Sequence, residues 1–146
     1  MVLQIALGSG LLVLNVLIMA LAALVLESGF RAVHPWLITA PQRPKLLLML
    51  VAVGLWVLGS LTIGVWIWAF VLHETGAFPT VEESVYFAIV AFSTLGLGDI
   101  VPHHEWRILA AMAAVNGFLS FGLLTALLVE ALRQVRLAQL DRRPRS

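Results

Sequence analysis

The chain has 146 residues, of which 61% are apolar and only 12% charged. A soluble domain is about 45–50% apolar and about 25% charged, and so short a chain has no core large enough for this much apolar surface. That excludes a lone soluble domain and a disordered or fibrous chain; the lack of cysteine excludes a disulfide framework, a thiolate metal site and a cysteine nucleophile.

The first apolar run covers residues 1–26, with Ile5 to Leu26 as its body. It has no positive n-region, and it exceeds the usual apolar stretch of about 7–15 residues in a signal peptide. It is therefore expected to be a retained helix, with cleavage after Ala20-Leu21-Ala22 as the alternative. Asn15 within it is expected to hydrogen-bond to another helix. Residues 27–45 carry Gly29, Pro35, Pro41 and Pro44 and are expected to form a linker, with a short interfacial piece around Trp36 to Ile38.

Two further runs follow: Leu46 to Leu72, 27 residues, and Ile108 to Val129, 22 residues. A helix needs about 20 apolar residues to cross the hydrocarbon core. Both qualify, and the longer has room to tilt. Ser60 with Gly64 on the first, and Ala110, Ala113, Ala114 and Gly117 on the second, form small-residue faces suited to close helix packing. Met19, Met49 and Met112 are expected to pack or to face lipid.

Between these spans lies Ser84 to Gly98, an uncharged stretch of 15 residues, too short to cross. A segment of that length is expected to be re-entrant or buried. Thr80 and Glu83 have capping-box spacing, and Glu82 and Glu83 suit the positive end of a helix dipole. A helix beginning there runs to about Ser93. It does not continue cheaply through Gly96 and Gly98. The chain is thus expected to enter the membrane as a short helix and return as extended backbone.

Non-helical backbone at membrane depth is tolerated only inside protein or along an aqueous cavity, where its carbonyls need partners. A dehydrated cation is such a partner. Alternating glycines let successive carbonyls turn toward one axis. The short helix points its partly negative end the same way, and the Thr94 hydroxyl adds an oxygen. A closed ring of ligands needs several copies of the strand, and cyclic symmetry supplies them economically. A homo-oligomer is expected.

The basic residues are distributed unevenly. Arg31, Arg43 and Lys45 lie in the linker; Arg133, Arg136, Arg142, Arg143 and Arg145 lie in the tail. Segment 73–107 has only Arg107, against Glu74, Glu82, Glu83, Asp99 and Glu105. The basic side is expected to be cytoplasmic, which places the N-terminus and segment 73–107 outside. Trp66, Trp68 and Trp106 then fall near the outer interface, as aromatic belts do. The basic tail from Arg133 is expected to be a helix end followed by a frayed terminus that rests on anionic lipid, with a specific binding role as the alternative.

At residues 79–102 and beyond, the sequence resembles the potassium-channel pore family. The family filter reads Thr-Val-Gly-Tyr-Gly-Asp; here it reads Thr94-Leu95-Gly96-Leu97-Gly98-Asp99, followed by Ile100-Val101-Pro102. Gly117 to Ala126 is similar to the inner helix of simple bacterial members. The resemblance implies an all-α membrane protein: three transmembrane helices, a re-entrant pore helix and a filter, assembled as a homotetramer. Residues 1–45 form the N-terminal helix and linker, and 133–146 the basic tail. Residues 46–132 form the pore domain, with outer helix 46–72, pore helix 80–93, filter 94–99 and inner helix 106–132. It implies passive, potassium-selective conduction in a bacterial-type plasma membrane. By the same resemblance, carbonyls of Thr94, Leu95, Gly96 and Leu97 are expected to hold the permeant potassium ion, with Gly98 and Asp99 completing the filter. Gly117 matches the family hinge, and Phe118, Phe121 and Thr125 face the cavity. A ring of Phe121 or of Leu128 is then expected to gate by dewetting.

Two positions depart from the family. Leu97 replaces a tyrosine whose hydroxyl braces the filter, so a less selective monovalent-cation channel is the alternative. Val90 stands where some members place a glutamate, so Asp99 is expected to lack that partner. A subunit of an active cation transporter is a further alternative, but those systems carry four such loops, each with a single filter glycine. Asn116 has two readings: lining the cavity or bonding a neighbouring helix. His103, His104 and Glu105 are expected to form a solvated rim rather than a proton or divalent-cation sensor, and Glu130 to pair with Arg133. No catalytic constellation, metal-ligand spacing or phosphate loop is present, so no enzyme activity, organic cofactor or nucleic-acid partner is expected.

Overall fold

The computed structural model describes residues 1–37 and 42–140. Four α-helices follow one another: α1 (Val2–Leu37), α2 (Gln42–Glu74), α3 (Val81–Phe92) and α4 (Arg107–Leu140). One 3-10 turn, His104–Trp106, leads into α4. No strand occurs among the described residues. Three of the helices have apolar segments long enough to cross a membrane: Val2–Val33, Leu47–Glu74 and His104–Arg133. In a medium without water each backbone polar group must be satisfied internally, which long apolar helices do. The protein is an all-α membrane protein.

Every long helix outruns its apolar body. α1 continues to Leu37, through Gly29 and Pro35, so most of the stretch expected as linker is helical. Glycine costs helix only about 1 kcal/mol, and local polar contacts support this turn: Arg31 pairs with Glu27 at 2.5 Å, and Ser28 Oγ donates to the Val25 carbonyl. Of the expected interfacial piece, Trp36 continues α1, and Ile38 lies outside the described residues. α4 extends to Leu140, so the tail begins as the end of a helix, as expected. Arg142, Arg143 and Arg145, on which the lipid-contact expectation rests, lie outside the described residues.

The main apolar core lies around α3, where Trp68, Leu72, Phe78, Phe92, Leu109 and Ala113 are buried together. Trp68 is fully buried, which corrects the expectation that it joins an aromatic belt. It stands four residues before Leu72, on the face of α2 turned to α3 and α4. Trp66, by contrast, is 54% exposed. A second cluster at the opposite end joins Phe30, Val53 and Ala131, with Met49 and Leu128 against it.

α1 packs along α4 and α2, which together hold α3 on their other side. Small residues permit the close crossings. A Cβ at Gly8 would overlap Met112 Sδ, and one at Gly64 would approach Asn15 Oδ1 at 2.8 Å and Phe92 Cε1 at 3.2 Å. Ala110 and Ala113 are buried as expected of a packing face.

Candidate functional site

The segment joining α3 to the 3-10 turn carries the site. α3 begins as its sequence predicts: Thr80, in extended conformation, accepts from the Glu83 N–H at 3.1 Å. Phe78, before the cap, packs its ring against that of Phe87 in a tilted arrangement, with centroids 4.8 Å apart.

The far end of α3 is closed by its own backbone. The Ser93 N–H donates to the Ile89 carbonyl, the Thr94 N–H to Ala91 at 3.0 Å and the Leu95 N–H to Val90 at 3.2 Å. Counted from the C-cap Ser93, the last two are the paired bonds of a Schellman motif. That motif requires a left-handed residue one place beyond the cap, usually glycine. Here the residue is Thr94, with φ +58°. A β-branched residue in this region is an outlier, strained by about 1–3 kcal/mol. Nothing in the threonine itself signals this; the clue is its place two residues before Gly96, in step with both glycines.

Gly96 and Gly98 continue the pattern, with φ +59° and +75°. Leu95 and Leu97 between them are not left-handed. Alternation of hand sends successive N–H groups to one side of a strand, and so its carbonyls to the other. Residues 93–99 are all exposed on the single chain. Among the described residues, no main-chain bond is donated by the N–H groups of Gly96 to Asp99.

The return leg is tied down at two points. The His103 N–H donates to the Ala77 carbonyl at 3.2 Å. Tyr86, on the second turn of α3, donates its hydroxyl to Asp99 Oδ2 at 2.6 Å. Val90 gives Asp99 no partner, as expected, but the short helix braces it from another position: Tyr86, one turn before Val90. Sequence spacing hid the pair, because the two residues meet only when the chain doubles back; the clue is that Tyr86 is the single tyrosine. The Tyr86 hydrogen bond holds the Asp99 carboxyl below the usual carboxylate range; nearby main-chain N–H groups at Asp99 and Ile100 add to this, against some desolvation. The same hydrogen bond, with some desolvation and the Asp99 charge, pushes the Tyr86 phenol up.

Behind the foot of this segment, α4 touches α3 directly. Gly117 lies so close to Phe92 that a Cβ there would fall inside contact distance of the Phe92 main chain. The residue expected as a hinge is thus also a point of close approach. Next to it, Asn116 is fully buried and accepts from Asn15 Nδ2 at 3.2 Å, so of its two readings the structure shows the bond to a neighbouring helix. Phe118 (70% exposed), Phe121 and Thr125 share a face of α4 turned away from the chain's own core. Leu128, one turn further along α4, is partly buried against the second cluster. Glu130 pairs with Arg133 at 2.9 Å, as expected. Around His103, His104 and Glu105, as elsewhere among the described residues, no group of three acidic or histidine side chains converges to hold a metal.

The family model described as "Ion channel" matches residues 47–134, which span α2, α3, the exposed segment and most of α4. No curated protein and no solved structure matches the chain.

Proposed function

This chain belongs to the ion channel family, and from that premise we propose that it conducts potassium passively and selectively through a homotetrameric pore. One observation carries this reading: left-handed backbone at 94, 96 and 98, on an exposed segment at the foot of a short helix. Such a segment is not stable against lipid. Four copies around an axis give it both cover and purpose. Carbonyls of Thr94, Leu95, Gly96 and Leu97, with the Thr94 hydroxyl, then replace the ion's hydration shell. α3 aims its negative end at the entry below. Phe118, Phe121 and Thr125 face the cavity, and Phe121 narrows it.

The N-terminus and residues 73–107 face outward, and the linker and tail face the cytoplasm, by the distribution of lysine and arginine. The membrane is a bacterial-type plasma membrane, and anionic lipid meets the basic tail.

Leu97 brings no hydroxyl to the back of the filter, which supports a less selective monovalent-cation channel as the second reading. Reversal potentials in mixed potassium and sodium separate the two. Purified protein in liposomes should pass potassium and be blocked by barium; sodium and potassium passing equally would leave the second reading.

A further inference from the structure

α1 begins before the family match and ends before it too, yet it is fitted closely to the pore domain. A single stripe turns inward: Gln4, Gly8, Leu11, Asn15 and Met19, while Leu3, Leu14, Leu17 and Leu21 stay exposed. Both amide side chains of the stripe reach α4. Gln4 Oε1 accepts from the Ile108 and Leu109 N–H groups at 3.1 and 3.3 Å, capping the first turn of α4. Asn15 Nδ2 donates to Asn116 Oδ1 and, at 2.8 Å, to Ser120 Oγ. Further along, Trp56 Nε1 on α2 donates to the Ala22 carbonyl of α1 at 3.1 Å. Turning α1 by one residue, about 100°, would carry the Asn15 amide toward lipid, where an unpaired polar group is costly. Asn15 thereby fixes the rotation and depth of α1.

Asn15 also stands where four helices converge. Its carboxamide oxygen and the Phe92 ring both crowd the position of a Gly64 Cβ. Its partner Asn116 precedes Gly117, which rests on the Phe92 main chain. Phe92 ends α3, and the strained left-handed Thr94 is two residues on.

We propose that Asn15 is a positioning residue for the Thr94 turn. By holding Asn116 and Ser120 on one side and the Gly64–Phe92 contact on the other, it sets the spacing at which Thr94 stays left-handed. It thereby sets ion selectivity. The proposal rests on the channel reading above.

Folding and positioning are separable here. Replacing both members of a buried polar pair with apolar groups of similar shape is nearly neutral for stability. Asn15 Oδ1 and Asn116 Nδ2 already lack a hydrogen-bond partner, so leucines at both positions lose little.

The test compares full-length wild type, Asn15→Leu, Asn15→Ser and the double variant Asn15→Leu/Asn116→Leu in liposomes. The readouts are the potassium-to-sodium permeability ratio and hydrogen exchange at the Leu95 amide. Asn15→Leu should assemble, lose selectivity several-fold and exchange at Leu95 roughly tenfold faster, while α2 amides keep their rates. Asn15→Ser, which keeps a donor, should recover part of both. Gln4→Ala should lower thermal stability without moving either readout. An assembled Asn15→Leu protein with wild-type selectivity and wild-type Leu95 exchange overturns the proposal. If that variant does not assemble, the double and serine variants decide by the same two readouts. A wild type that passes no potassium overturns the channel reading instead; Leu95 exchange, which needs no flux, still tests the placement of the turn.

Discussion

Three backbone angles carry the chemistry at the smallest scale. Gly96 and Gly98 are left-handed, and a Cβ at Gly96 would meet nothing within 4 Å on its own chain. The obstacle to alanine there is conformational, about 1–2 kcal/mol per residue. Gly96→Ala and Gly98→Ala should each abolish potassium flux in liposomes while circular dichroism stays that of the wild type. Tyr86→Phe tests the brace. Asp99 titrates below its ordinary 3.8, so its contribution is present above that pH and lost as pH falls through the lowered value. The Tyr86 phenol titrates above its ordinary 10.0, so its share is lost only as pH rises through the raised value. The brace should therefore be insensitive to pH between about 5 and 9. Tyr86→Phe should shorten the conducting state across that window and return the Asp99 pKa, followed by NMR, toward 3.8. The glycine spacing and Asp99 were legible in the sequence. The left-handed Thr94 was not, because the closing bonds of α3 impose it; nor was Tyr86–Asp99, because only the reversal of the chain joins them.

Among elements, the decisive contact is that of α4 on α3. Gly117 faces main-chain atoms of Phe92, which have no rotamer to escape into. Gly117→Ala should cost about 1–3 kcal/mol of stability, read as a lower melting temperature, and should reduce flux by displacing the foot of the 93–99 segment. Gly8→Ala meets the flexible Met112 side chain and should be milder. The three spans and the short α3 could be read from apolar run length and the Thr80 cap. Their ends could not, since Leu37 and Leu140 lie well past the apolar bodies. The burial of Trp68 escaped as well, because an apolar helix surrounded by apolar neighbours has no polar face to announce which side turns inward.

At the scale of the whole molecule, the single chain leaves an irregular segment at residues 93–99 and a face bearing Phe118 and Phe121 exposed. Cross-linking in native lipid should trap a tetramer, and a solitary protomer would leave the left-handed strand without a role. Within the chain α1 braces α4, since its amides cap the first turn of α4 and reach Ser120 further along it. The most direct measurement is potassium flux through purified protein in liposomes, with barium added and with Gly96→Ala and Gly98→Ala alongside. Flux that barium stops and both substitutions abolish is the predicted result. Equal flux in the wild type and both variants, indifferent to barium, would contradict a conducting role for the segment from Thr94 to Asp99.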